Sequence, residues 1–241
     1  MSGFSESRFG GSGGGASISN PGVAYVQTNG NPSTAELGNP AKPFLTIAAA
    51  LAACDAASQT HPSLFLGRGS FNADALLTSS ADSIFLSGAG VGATILQATW
   101  VGTPGADGIS GILGVATDGD QGQSFEGCPI LRSDKSLRLD VSITGGTGGT
   151  GGENTGEEGF GGGGGTGGDI AGITLHDIVG SVTMIPGSGG SANNGPEGEG
   201  TPGVDGTVGY STLQFCNITT SGATETIAQL TILNGVPNLD A

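Results

Sequence analysis

The sequence predicts an all-β chain built as a solenoid, with glycine-rich extended segments inserted between short strands. Glycine accounts for 50 of the 241 residues, which is about three times ordinary usage. Only 5% of the residues are aromatic, which is little for a conventional globular core, so backbone packing must replace much of the side-chain packing. The candidate strands are short, β-branched and alternating, as expected for strands with one face in a core.

Glycine recurs at every third residue in several stretches. The clearest are the windows 102–111 and 200–209, which agree at seven of ten positions. A polyglycine-II helix turns once per three residues, so every third residue lies on the same edge, and glycine there lets two helices touch. Since such helices satisfy none of their own backbone groups, ordered ones must hydrogen-bond side by side. The alternative interpretation is a set of flexible glycine-rich loops.

Two more series keep this period. In the stretch 145–153, the residues along one edge are Thr147, Thr150 and Glu153. The second series has a gap at a glycine and consists of Glu157, Phe160, Gly163, Thr166 and Asp169. We expect an ordered bundle of extended helices with the threonines of both series on exposed edges.

The formal net charge is −15, from 21 acidic and 6 basic residues. This disfavours nucleic acid or an anionic membrane as a partner, because a basic patch would be needed to bind either. It would also repel an anionic polysaccharide unless a bound cation intervened. An acidic surface favours solubility at high local copy number.

The cysteines and the N-terminus indicate where the chain is made. Cys54, Cys128 and Cys216 are far apart in sequence and are expected to be small buried hydrophobes rather than disulfide partners. The first residues lack the basic and apolar regions of a secretory signal, so we expect synthesis and folding in a cytoplasm. With no apolar run of about 20 residues, membrane insertion is not expected.

Residues 1–20 form a Gly/Ser-rich arm that carries two phenylalanines, Phe4 and Phe9. A pure spacer would not need them, whereas a segment that docks into a partner would. The sequence therefore predicts a docking arm over 1–20 and a folded unit over 21–241. An unstructured tail is the alternative.

The folded unit opens with a predicted strand at 23–28, which runs into an Asn-Gly and Pro turn. A helix is predicted over 46–56, because alanines supply helix propensity and Thr46 suits the N-cap. Its apolar face consists of Phe44, Ile47 and Leu51.

These residues carry a family resemblance. The pattern Tyr-Val-x-x-x-Gly from Tyr25, followed by Gly-x-Pro-x-x-Pro-Phe-x-Thr-Ile-x-x-Ala from Gly38, resembles the opening of right-handed parallel β-helix proteins of the pectate-lyase-like superfamily. The resemblance implies a right-handed parallel β-helix whose short helix covers the open N-terminal end.

The stretches 64–71 and 83–96 resemble the first and second coils of that family. Further strands are predicted at 111–116, 137–143, 170–175, 181–185, 213–218 and 227–233. Glycine-rich insertions near 102–122, 145–168 and 187–209 fall between these strands, so they leave the solenoid at successive coils and could stack on one another.

Catalytic patterns of the family are absent. The motifs Asn-Thr-Asp, Asp-Asp and Gly-His-Gly do not occur, and no arginine sits near a set of calcium-binding carboxylates. His61 and His176 are isolated and are interpreted as bystanders. We therefore expect no glycosidase or lyase activity, although a polysaccharide lyase or hydrolase is the alternative function that the β-helix resemblance implies.

One metal site is considered. Asp118 and Asp120 stand two apart with glycine following, as at the start of a calcium-binding loop, but the later bidentate glutamate is missing. Turn-forming aspartates are the alternative. Apart from calcium at this place, no cofactor is expected.

The function favoured by the sequence is a structural or recognition protein of an assembled particle, with a bacteriophage virion as the location. Capsid decoration, fibre and tail adhesin all suit the arm, the acidic surface and glycine-rich stretches that are similar to those of phage adhesins with polyglycine-II domains. The expected partners are other virion proteins, bound through the arm, and a host surface glycan. Self-association into a trimer is expected as well.

Overall fold

The computed structural model describes residues 22–111, 116–209, 211–214, 216–221, 230–233 and 238–239. Nearly all regular structure in these ranges is parallel β-sheet, which confirms the all-β prediction. Two parallel sheets dominate, and the chain alternates between them along most of its length. The first sheet contains β1 (Val23–Val26), β2 (Ser63–Leu66), β4 (Ser83–Ser87), β6 (Ile130–Ser133), β8 (Thr174–His176), β12 (Ser211–Gln214) and β14 (Leu230–Leu233), paired in this order.

The second sheet receives the chain after each of these strands except β1. In spatial order it contains β15 (Asn238–Leu239), β13 (Asn217–Ser221), β9 (Val179–Ile185), β7 (Arg138–Thr144), β5 (Thr94–Val101) and β3 (Gly69–Asn72). A separate antiparallel pair, β10 (Asn194–Gly195) and β11 (Gly198–Glu199), lies in the third glycine-rich stretch. Strands of one coil therefore pair with strands of the neighbouring coils, as at Leu64 on β2, which lies opposite Leu86 on β4.

The predicted N-terminal helix is confirmed as α1 (Ile47–Ala56). Thr46 is the N-cap, and its Oγ1 accepts a hydrogen bond from Ala49 N at 3.1 Å. Phe44, Ile47 and Leu51 are buried as predicted. The helix packs against β1 and against the one-turn helix α2 (Asp74–Leu77), so it covers the first coil.

Side chains alternate between core and surface along the strands. In β4, Ile84 and Leu86 are buried, whereas Phe85 between them is 37% exposed. Ile84, Leu131 and Leu175 lie in register on neighbouring strands and are fully buried. The buried apolar residues of both sheets and both helices belong to one contiguous core, as a solenoid requires.

Two strand predictions need correction. The stretch 213–218 is not one strand, because β12 ends at Gln214 in the first sheet and β13 begins at Asn217 in the second. The predicted strand at 170–175 is shortened, because β8 begins at Thr174 and Ile170 makes only isolated bridges to Phe125 and Val208. The predicted strand at 111–116 falls mostly outside the described residues; of its two described residues, Gly111 makes a single bridge to Asn154. Two strands, β3 and β6, were not predicted as separate elements.

The glycine-rich stretches follow β5, β7 and β9, which are neighbours in the second sheet. These three strands end in register, with Val101 opposite Thr144 and Thr144 opposite Ile185. Each stretch then returns to the next strand of the first sheet. Three consecutive coils thus carry insertions that start side by side.

Neither helix of the described residues has the length and apolar character that crossing a membrane requires.

Candidate functional site

The glycine-rich stretches make three out-and-back excursions, each with an outgoing and a returning extended segment. In the second and third excursions these segments are joined by distal loops, over 154–160 and 194–199. Numbered along the chain, the segments are 1 (102–110), 2 (116–124), 3 (145–153), 4 (161–169), 5 (186–193) and 6 (200–207). Together they are called the glycine bundle here. Its backbone bonds connect segments to one another in a regular array.

The outgoing segments 1, 3 and 5 run parallel in one row and continue the register of the strands before them. Gly102 N donates to Thr144 O at 2.8 Å, and Gly145 N donates to Ile185 O at 2.8 Å. The same bond recurs at every third residue; the further pairs are Gly105 to Thr147, Gly108 to Thr150, Gly148 to Ser188 and Gly151 to Ser191. Segment 5 ends the row and begins with Pro186, which has no N–H to satisfy.

The returning segments 2, 4 and 6 form a second row, antiparallel to the first. Segment 4 bonds to segment 3 through three glycine pairs, in which Gly162, Gly165 and Gly168 donate to Gly152, Gly149 and Gly146. Within the row, segment 2 donates to segment 4 and segment 4 donates to segment 6, again at every third residue. Segments 3 and 4 each bond to four neighbours, whereas segments 1 and 6 bond to two. The result is a two-by-three array.

The glycine content of a segment follows its number of neighbours. In segment 3, a Cβ added at Gly148 would overlap the carbonyl oxygen of Gly165, and one added at Gly149 would overlap that of Ala106. In the central segments, two of every three residues therefore have to be glycine. The third residue can carry a side chain, as the exposed Thr147 does. Segments 1 and 6 need glycine only at every third position.

The twin windows of the sequence form segments 1 and 6, the two segments of this array with the fewest bonded neighbours. Asp107 of segment 1 and Asp205 of segment 6 occupy the same position in the repeated motif. Asp107 Oδ1 accepts from Thr150 N at 2.8 Å, and Asp205 Oδ1 accepts from Gly189 N at 2.8 Å. The first bond joins segment 1 to segment 3 of the same row, and the second joins segment 6 to segment 5 of the other row. In both cases the carboxylate satisfies a backbone N–H of a neighbouring segment, so the repeated aspartate marks a segment at the end of its row.

Of the two aspartates considered for calcium, Asp118 serves the same purpose through its carboxylate. Asp118 Oδ1 accepts from Gly163 N at 2.6 Å, which joins segment 2 to segment 4. Asp120 takes part through its backbone, since its N–H donates to Ala106 O and its carbonyl accepts from Gly149 N. In the part of the chain that is described, no group of three or more His, Cys, Asp or Glu residues could hold a metal ion. The calcium interpretation stays a prediction.

The distal loop of the second excursion is organised by one buried amide. Asn154 is 4% exposed, and its Nδ2 donates to Glu158 O at 3.0 Å and to Phe160 O at 3.4 Å. Its Oδ1 accepts from Gly156 N at 3.0 Å. Phe160 is 60% exposed beside the loop of the third excursion, where a Cβ added at Gly198 would lie 3.3 Å from the phenylalanine ring. The loop therefore presents an aromatic ring in a fixed place.

We expect Asn154→Ala to release this loop, because the substitution removes the amide that holds the loop carbonyls, at a cost of about 1–3 kcal/mol. Hydrogen exchange should show lost amide protection over 155–161, while the strands keep theirs. The neighbouring exposed Thr155→Ala is the control, since its hydroxyl makes only a 3.3 Å bond to Gly111 O. Equal exchange in both variants would refute the role of Asn154.

The histidines lie apart from the bundle. His61 is exposed, with Nδ1 2.9 Å from Ser83 Oγ. His176 on β8 lies on the outward side of the first sheet, opposite Arg132 on the neighbouring strand β6. Partial burial and the charge of Arg132 lower the His176 pKa, with Asp177 opposing them.

Among the described carboxyl groups, those of Glu36 and Asp134 have pKa values that are shifted downward. A hydrogen bond from Lys42 lowers the pKa of Glu36. Burial raises the pKa of Asp134, but hydrogen bonds from Ser136 and Ser87 outweigh it, so the pKa is lowered. A general acid at neutral pH needs the opposite direction. The expectation of no lyase or hydrolase activity stays a prediction that an assay has to test.

All three cysteines are free thiols. Cys54 and Cys216 are buried and Cys128 is half-buried, in line with the sequence interpretation. Burial raises the pKa of each thiol, to about 12 for Cys128, so these groups are not activated nucleophiles.

Phe4 and Phe9, predicted to dock into a partner, lie outside the described residues. Sequence reasoning missed Asn154, Asp107 and Asp205 as organising residues. The repeated Asp in the twin windows was a visible signal for two of them, whereas Asn154 had none.

No family model, curated protein or solved structure matches this chain. The geometry of the sheets and the bundle is therefore the basis for assigning a function.

Proposed function

We propose that the protein is a structural or recognition component of a bacteriophage virion, serving as a capsid decoration, fibre or tail adhesin. The observation that carries this proposal is the glycine bundle, in which backbone hydrogen bonds lock three excursions together. The second and third excursions end in distal loops with exposed side chains. Such a scaffold holds loops rigidly away from a stem. A capsid or tail surface is where many copies of a rigid, acidic projection are useful.

The stem in this proposal is a right-handed parallel β-helix. Its support is the alternation of the chain between two parallel sheets, together with the strong preference of parallel strand connections for the right-handed crossover. The bundle is proposed to consist of polyglycine-II helices, because its bonds recur at every third residue and connect each segment to several neighbours.

The arm over 1–20 is proposed as the attachment element to other virion proteins. Phe4 and Phe9 can each contribute about 1.5–3 kcal/mol when buried in a groove of the partner. Many copies on one particle would multiply this contribution. Trimer formation on the particle belongs to the same proposal.

Deletion of residues 2–20 tests the attachment. We expect the truncated chain to fold, as judged by circular dichroism. It should nevertheless be absent from particles that are purified from cells expressing it, as judged by mass spectrometry. The double substitution of Phe4 and Phe9 by serine should have the same effect, because it removes the apolar groups but keeps the arm length. Incorporation of both variants at full occupancy would mean that the arm is only a tail. Absence of the wild-type chain from purified particles would overturn the virion proposal.

A further inference from the structure

The outer face of the returning row contains a groove of about 550 Å³. Its floor is the backbone of segment 4 around Gly163, and its sides come from segments 2 and 6 and the distal loops. The side chains that line it are Asp118, Phe160, Thr166, Glu199, Thr201 and Val204. The groove is open to solvent along its length.

The groove lies over Gly163, which has no side chain to fill it. Packing within the array requires a glycine at this position less strictly than at the interior positions of the array. At interior positions such as Gly165, an added Cβ would overlap a backbone carbonyl oxygen. At Gly163 the nearest atoms would be Thr201 O at 2.9 Å and Asp118 Oδ1 at 3.2 Å. The residues at the same edge on either side, Phe160 and Thr166, are exposed, so the missing side chain leaves a gap between them. At about 3.1 Å per residue, the gap spans roughly 19 Å from Phe160 to Thr166.

The walls combine apolar faces with hydroxyl and carboxylate groups. Phe160 is 60% exposed and Val204 is 67% exposed, and Pro202 lines the same groove. The other lining side chains, Asp118, Thr166, Glu199 and Thr201, bring carboxylate and hydroxyl groups. A sugar ring has the same division, with a C–H face that packs on an aromatic ring and a rim of hydroxyls that donate to carboxylates.

Charge decides which sugars fit. The bundle and its distal loops, over 102–124, 145–169 and 186–209, carry ten carboxylates and no lysine or arginine. Sialic acids, uronic acids and phosphorylated sugars would therefore be repelled, whereas an uncharged sugar chain carries no such penalty.

We propose that this groove binds an uncharged glycan, as an extended chain of a few sugar residues stacked on Phe160. This inference rests on the recognition role proposed above and names the class of ligand for it. Asp118 and Glu199 accept hydrogen bonds from sugar hydroxyls, and the glycine floor lets the chain approach the backbone.

The test measures binding of the intact protein to a printed glycan array. The array carries neutral glucans, mannans and galactans, together with sialylated, uronic-acid and phosphorylated oligosaccharides. We expect retention on at least one neutral class and on none of the anionic ones. Phe160→Ala should weaken that binding about tenfold, the order of one lost stacking contact. Binding should be insensitive to NaCl between about 0.05 and 0.5 M, because no ion pair is involved.

Ile109→Ala is the matched control, since Ile109 is an apolar side chain, 73% exposed, on segment 1 away from the groove. Its binding should equal that of the wild type. Three results would overturn the proposal: no binding of any neutral glycan, equal retention of the anionic oligosaccharides, or equal binding by Phe160→Ala. Incorporation into particles is measured in a separate experiment. A negative result for glycan binding therefore does not contradict the virion proposal, and a negative result for incorporation does not contradict glycan binding.

Discussion

Gly148→Val is expected to destabilise the glycine bundle by more than about 4 kcal/mol, the range of the most damaging single substitutions. Gly148 lies in segment 3, where an added Cβ would overlap the carbonyl oxygen of Gly165 and lie 2.8 Å from Gly190 N. No rotamer avoids this overlap, because the Cβ itself is the clashing atom. The segment would have to move away from segment 4, and the bond from Gly148 N to Ser188 O at 2.9 Å would be strained as well.

Thr147→Val is the control for this substitution. It places the same side chain one residue earlier on the exposed edge, so its cost should stay within about 0.5 kcal/mol. Hydrogen exchange of the glycine amides in segments 3 to 5 gives the direct readout, with thermal unfolding as the second. Equal stability of the two variants would mean that the glycine-rich stretches are flexible loops.

Leu131→Ala is expected to cost about 2–5 kcal/mol of unfolding free energy. Leu131 is fully buried on β6, between Ile84 and Leu175 on the neighbouring strands. Removing its side chain leaves a cavity in the middle of the core that parallel strands on both sides prevent from closing.

Leu45→Ala is the matched control, because Leu45 is 39% exposed beside α1 and loses the same atoms. Its cost should be below about 1 kcal/mol. Denaturant unfolding with a common m-value measures both. If the two variants lose the same stability, the core does not run through β6 as described.

The sequence predicted the structure best at positions where the local geometry admits few types of residue. The three-residue period of glycine is visible because each contact between segments excludes a Cβ, as at Gly148. Thr46 was recognisable because an N-cap needs an oxygen that accepts from the first turn. The exposed position of Thr147 followed from the same period.

Other elements gave no such signal. The chain passes from the first sheet to the second between Gln214 and Asn217 without a glycine or proline, so 213–218 looked like one strand. β6 is only four residues long and begins next to a proline. The bonds of Asp107 and Asp205 depend on which segments become neighbours, and that is settled by the register of strands far away in sequence. Asn154 bonds within its own loop, to residues at most six positions away, but no repeated pattern marks it in the sequence.

The direction of the bundle's hydrogen bonds has a mechanical consequence. The bonds between segments run across the segment axes, so a pull along the axis loads all the bonds of a segment in shear at once instead of opening them one after another. Segment 3 is held in this way by four neighbours, two on each row. A load applied at the distal loops would therefore pass into β5, β7 and β9 together, and the bundle should resist extension far better than peeling.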